Sequence, residues 1–249
     1  MTLIEAKESL KLKGYCDFEL KDFNEEHYNI FEKIKYKKED TKYFKHFKIV
    51  RFDYHNDIDN LHISHSNTFT SFEDANINKN ELLKKYDYEN ISQLWISSNR
   101  FPKDSIKENF EKVYYDILEY FYNKTQQDIK MAQQWTCYSE GCFLKDHNDG
   151  QGQEYPNTCA ILIYLNEEWK EEWGGNLLLR NTKIANDEDK FTQYKVIPKF
   201  GKVVIIDLET FDTSHAVEDI IGDHNRCTLL SFATSKYKKI KLDKNFINE

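Results

Sequence analysis

A chain of 249 residues is long enough to bury one large hydrophobic centre, and 39% apolar with 15% aromatic residues excludes a disordered protein. The formal net charge of −8 comes from acidic and basic residues interspersed along the chain, without the lysine- or arginine-rich block of a nucleic-acid footprint. No run approaches the ~20 apolar residues that span a bilayer, the N-terminus lacks a signal-peptide stretch, and five scattered cysteines without a CxxC pair read as reduced thiols, so a soluble, cytoplasmic protein with no nucleic-acid or membrane partner is expected.

The first expected element is a weak helix around residues 24–36. The stretch from about 51 to 80, rich in Asn, Asp, His and Ser, reads as loop and irregular structure. A clear helix follows Phe101-Pro102-Lys103-Asp104. Asp104 is a fitting N-cap, and Ile106, Phe110, Val113, Ile117, Leu118 and Phe121 recur at spacings of three and four, the stripe of a helix packed on a sheet.

From about residue 128 the texture changes to short apolar runs separated by turn signals. Strands are expected near 129–138, 158–165, 176–180, 192–197, 202–207, 213–218 and 226–233. The continuous runs Cys159-Ala-Ile-Leu-Ile163 and Val203-Val-Ile-Ile206 suit strands buried on both faces. About eight short strands at this spacing predict a mainly β fold with flanking helices, a double-sheet jelly roll. Residues 1–127 are then a helical and irregular region packing on a core of residues 128–249, in one compact domain.

Three segments carry candidate chemistry. His147 and Asp149 stand two apart, so on an extended segment both side chains point to one side. His215 supplies a second imidazole from a later predicted strand. Two His and one carboxylate on one face of an octahedral ion leave the other face open, which suits Fe(II) and O2 better than a closed zinc site. His55-Asn56-Asp57 repeats the triplet His147-Asn148-Asp149, but it precedes the β-rich half. The third segment, Arg226-Cys-Thr228-Leu-Leu, puts a guanidinium and a hydroxyl on one strand face, an arrangement that grips a carboxylate.

The order of motifs resembles the 2-oxoglutarate- and Fe(II)-dependent dioxygenases, especially the prolyl 4-hydroxylase-like branch. Tyr138-Ser-Glu-Gly141 precedes the HxD; Tyr164-Leu-Asn166, Trp169 and Gly174-Gly175 follow. Pro198-Lys-Phe-Gly201 then leads into an apolar strand, and His215-Ala-Val217 and Arg226 complete the set. The match runs from roughly residue 130 to 234. It implies a double-stranded β-helix, with Fe(II) held by His147, Asp149 and His215. It further implies 2-oxoglutarate paired through its distal carboxylate with Arg226, assisted by Thr228, and Tyr138 as a pocket hydroxyl. Asn157-Thr158-Cys159 and Asn176 depart from the basic and acidic residues some members carry at those places. The activity implied is O2-dependent hydroxylation of an unactivated C–H in an amino-acid-like, peptidyl or small biosynthetic substrate. Two alternatives remain at this stage: a non-catalytic jelly roll that binds a metal or sugar, and a cupin-type metalloenzyme that does not use 2-oxoglutarate. Oligomeric state is not legible.

Overall fold

Two apolar runs organise the molecule because each is divided between two hydrophobic clusters. Ile161, Ile163, Val203 and Ile205 point to one cluster, and Ala160, Leu162, Val204 and Ile206 point to the other. Strict alternation along a strand sends successive side chains to opposite faces, so both runs are buried on both sides, as expected. The computed structural model describes residues 1–35, 47–53, 68–85, 91–98, 104–149, 157–181, 194–211 and 213–236.

The first half of the chain forms α1 (Leu3–Lys13), β1 (Tyr15–Glu19), α2 (Leu20–Phe23), α3 (Glu25–Glu32), β2 (Phe47–Asp53), β3 (Thr68–Phe69), α4 (Phe72–Lys85), β4 (Ile91–Ser98) and α5 (Asp104–Tyr122). The second half forms β5 (Ile129–Tyr138), β6 (Phe143–His147), β7 (Asn157–Tyr164), β8 (Leu177–Asn181), β9 (Tyr194–Val196), β10 (Lys202–Asp207), β11 (Thr213–Val217) and β12 (Arg226–Ser235). The strands follow the order β1-β10-β7-β12-β5-β4-β6-β11-β8-β9, with β2 and β3 attached through β4. Every pairing given by the register is antiparallel, and the sheet curls into a nearly closed jelly roll. The expected fold class holds.

α5 forms where its stripe predicts it. Phe110, Val113, Ile117, Leu118 and Phe121 are buried against the outer face of the sheet. The Tyr114 hydroxyl donates to the Leu229 carbonyl at 2.7 Å, tying the helix to β12. α3 matches the weak helix expected at 24–36, with the Asn24 side chain accepting from the His27 N–H as its N-cap.

The first half departs from expectation in several places, beginning with α1, which precedes the first expected helix. Within residues 51–80, taken as irregular, the chain contains the end of β2, all of β3 and most of α4. The reason lies in what α4 buries: Phe72, Ala75 and Lys79. One of those three inward positions is a lysine, so no apolar period shows. Its ammonium donates to Ser139 Oγ at 2.9 Å and to the Glu140 carbonyl. β1 and β4 were not expected either, yet β1 pairs along β10, and β4 lies between β5 and β6. The helical and irregular character expected of residues 1–127 is therefore corrected: that region also supplies strands to the sheet.

Candidate active site

The local geometry starts with β6 and β11. His147 and His215 are paired residues across these strands, which brings their rings to a centroid separation of 4.2 Å. Asp149 lies just past the end of β6 and turns its carboxylate towards both. Its Oδ1 is 3.1 Å from His147 Nε2 and its Oδ2 is 3.4 Å from His215 Nε2. One donor atom from each residue falls within 4.8 Å of the others, close enough to share one ion. The structure brings the His147-Asn148-Asp149 triplet to a second histidine; His55-Asn56-Asp57 lies outside the described residues.

The electrostatics of the three groups agree with ligation. Burial presses the His215 imidazole down to about 4, and the neighbouring His147 adds to the effect, so its ring is neutral at physiological pH. Burial also presses on His147, but the hydrogen bond and charge of Asp149 outweigh it and raise its pKa. Asp149 resists the upward push of burial and is held below the ordinary carboxylate range by the two imidazoles. His147 Nδ1 lies 3.0 Å from the Lys145 carbonyl, an acceptor that fixes the tautomer and leaves Nε2 free to bind a metal. His215 Nδ1 has no such partner among the described residues.

A cavity of about 280 Å³ opens over these groups, and Arg226 reaches into it from the first position of β12. Arg226 is only 1% exposed. Its Nη2 donates to the Tyr164 hydroxyl at 3.0 Å and its Nη1 to Thr228 Oγ1 at 3.4 Å, while Nε has no partner among the described residues. The rings of Tyr138 and Tyr164 lie 5.1 and 4.9 Å from the guanidinium carbon. Among the described residues no carboxylate pairs with it. A buried cation with neutral partners alone is costly, so the site is built for an anionic ligand.

Gly174 and Gly175 shape the wall behind this arginine. Both have positive φ, and a Cβ on Gly175 would lie 2.3 Å from Ile220 Cδ1 and 3.3 Å from Arg226 Cδ. Only glycine fits this turn without moving Ile220.

All six site residues expected from the sequence line this cavity or touch Arg226: His147, Asp149, His215, Arg226 and Tyr138 line it, and Thr228 touches the arginine. Sequence reasoning overlooked Tyr164, which stands opposite Thr228 in the β7–β12 register. It also overlooked Gln93 and Trp95 on β4, both of which line the cavity. Tyr164 had been visible as part of a motif, but its neighbour across the sheet is not written in the sequence.

Residues 133–233 match the family model of the 2OG-Fe(II) oxygenase superfamily. That stretch is similar to a 2OG-Fe(II) oxygenase domain. The oxygenase match contains all three candidate metal ligands as well as Arg226. Enzymes of this family are dioxygenases that use Fe(II), 2-oxoglutarate and O2, and the His–Asp–His cluster with its neutral and anionic donors fits an Fe(II) ion. No curated protein matches the chain in sequence.

The oxygenase fold is shared with solved structures of low identity. One is a prolyl hydroxylase from Trichoplax adhaerens in complex with a hypoxia inducible factor peptide fragment; at 11% identity it gives a TM-score of 0.52, over 92% of this chain and 87% of that one. A second is the non-heme alpha ketoglutarate dependent epimerase SnoN from nogalamycin biosynthesis, at 8% identity and TM-score 0.52, over 93% and 81%. A third is a prolyl 4-hydroxylase from Phytophthora capsici, at 16% identity and TM-score 0.50, over 93% and 62%. At such identities the likeness establishes the fold. Among the described residues no helix is long and apolar enough to cross a membrane.

Proposed function

We propose that this oxygenase hydroxylates an unactivated C–H bond of an amino-acid-like, peptidyl or small biosynthetic substrate. In this reading His147, Asp149 and His215 hold the iron, and Arg226 receives the distal carboxylate of 2-oxoglutarate. Residues 128–249 supply most of the catalytic core, and residues 1–127 add strands β1 and β4 to its sheet. One observation carries the reading: a buried guanidinium lacking an anion partner among the described residues lines the same cavity as the His–Asp–His cluster.

Iron bound with 2-oxoglutarate supplies the oxidising chemistry, coupling O2 reduction to decarboxylation of the cosubstrate. The protein's own part is binding, orientation and exclusion of water. Arg226 offers a charge-assisted hydrogen bond to a carboxylate, with its position held by Tyr164 and Thr228. Tyr138 closes one side of the guanidinium, and its ring stacks on Trp95 at 6.1 Å, so that end of the cavity is walled by aromatic carbon. The His147 Nδ1–H bond to Lys145 keeps the opposite nitrogen aimed at Asp149.

A non-catalytic binding module is the weaker reading, since holding a metal alone calls for no anion site beside it. The cupin reading is weaker for the same reason. The test is decarboxylation of 2-oxoglutarate by purified protein, followed as succinate formation. Turnover is expected only with Fe(II) and O2 together, and it should disappear in His147→Ala and in His215→Ala. Undiminished turnover in His215→Ala removes the assignment.

A further inference from the structure

The register of the sheet orders the cavity along its length. Arg226 stands opposite Tyr138, Thr228 opposite Thr136, and Leu230 opposite Gln134. Across the other edge of β12, Thr228 faces Tyr164, Leu230 faces Leu162, and Phe232 faces Ala160. Each pair of residues advances roughly 6.8 Å along a strand, so Leu230 lies roughly 14 Å beyond Arg226. A five-carbon dicarboxylate anchored on Arg226 is shorter than that span and does not fill the row around Leu230.

The chemistry changes along the same direction. The Arg226 end is cationic and hydroxylated. The row beyond it is apolar apart from Gln134, whose carboxamide faces the cavity and has no hydrogen-bond partner among the described residues. Among the described lining residues the only other charged or ionisable side chains are the three candidate metal ligands and Tyr138. A free amino acid placed here would have to strip water from an ammonium and a carboxylate with no charged partner left for either, because Arg226 is taken by the cosubstrate and the acid and imidazoles by the metal.

Resting on the cosubstrate reading above, we infer that the reacting part of the primary substrate is an uncharged, apolar carbon skeleton seated on Leu162, Leu230 and Phe232, with one hydrogen-bonding group paired to Gln134. A primary carboxamide both donates and accepts, so it is complementary to a neutral group that does the same, such as an amide. Specificity on this account is the exclusion of zwitterions by the wall together with selection of one polar group by Gln134. Gln134 is half-buried, so a substrate that covers it without a hydrogen bond shields it from water and leaves it unpaired, which sharpens the choice.

The experiment loads the protein with Mn(II) and 2-oxoglutarate and titrates it with N-acetyl amino-acid methylamides bearing apolar side chains, and with the corresponding free amino acids. Binding is read from the water-proton relaxation of the Mn(II) complex. At least one neutral derivative is expected to bind at least tenfold more tightly than its zwitterion. Gln134→Leu and the isosteric Gln134→Glu are expected to weaken that derivative about tenfold while leaving the 2-oxoglutarate affinity unchanged. Retained cosubstrate binding in each variant shows that it is folded. Three results overturn the inference: zwitterions binding as well as their neutral derivatives, no neutral derivative binding, or Gln134 variants behaving as the parent. If the parent protein binds Mn(II) but not 2-oxoglutarate, the cosubstrate reading itself falls, and this inference with it.

Discussion

Arg226 has 1% exposure and, among the described residues, two neutral hydrogen-bond partners and an unpartnered Nε. A guanidinium in that state serves a ligand rather than the fold, because hydrogen bonds to hydroxyls do not offset the removal of a charge from water. Replacing it by Ala is expected to weaken 2-oxoglutarate binding by roughly 10- to 100-fold, the worth of a charge-assisted hydrogen bond. Mn(II) affinity should stay near that of the parent protein, and calorimetric titration of each ligand separately checks both halves. The ligand cluster makes a second prediction, on pH. Asp149 holds the His147 pKa above its ordinary value in the metal-free protein, against the opposing pull of burial. A proton on His147 therefore competes with the metal, and metal affinity should rise with pH through the histidine range. Binding below that range should release about one proton from His147. His215, already neutral down to about pH 4, contributes nothing to this release. Titrations in buffers of different ionisation enthalpy count the protons.

At the scale of elements, the candidate metal ligands depend on how three strands are held together. β11 sits between β6 and β8, so His215 is fixed by pairing on both sides. Arg180 on β8 reinforces the arrangement from the outer face: it donates to the Asp146 carboxylate and, through Nε, to Ser214 Oγ at 3.3 Å. Asp146 and Ser214 immediately precede His147 and His215, so one side chain ties down both ligand-bearing strands. Arg180→Met keeps the aliphatic stem and removes the clamp. It is expected to lower Mn(II) affinity roughly tenfold, as loss of supporting contacts around a metal site does, with little change in the far-ultraviolet circular dichroism. Unchanged affinity would show that strand pairing alone suffices. β4 plays a different part. Inserted between β5 and β6, it brings Gln93 and Trp95 into the cavity from a region outside the family match. Gln93 is 8% exposed and its carboxamide has no partner among the described residues, so β4 contributes polar lining as well as closure.

At the scale of the molecule, the consequence is that the two halves of the chain do not separate cleanly. Removing residues 1–103 would strip β1 from β10 and β4 from β5 and β6, and would expose strand edges and an apolar face where α1 and α3 pack. Such edges pair with other chains. The truncated protein is expected to aggregate or lose cooperative unfolding, and thermal denaturation with light scattering tests this. A soluble, cooperatively folding truncation would show that residues 104–249 suffice for the fold.

Sequence and structure divide this protein along a physical line. Local periodicity was enough for α5 and for the β5, β7 and β10 strands, because their buried faces are apolar and their spacing is written in consecutive residues. Motif order singled out His147, Asp149, His215 and Arg226 as candidates, and the structure brings all four to one cavity. α4 escaped because one of its inward positions is Lys79, satisfied by hydrogen bonds rather than by apolar contact. β4 escaped because its cavity-facing residues include Gln93, a polar side chain buried against a site and not against a core. Tyr164 beside Arg226, Arg180 behind the metal cluster and the polar-to-apolar gradient towards Leu230 were decided only in three dimensions. Each depends on which strand lies next to which, and strand order is set by long-range pairing that no window of consecutive residues contains.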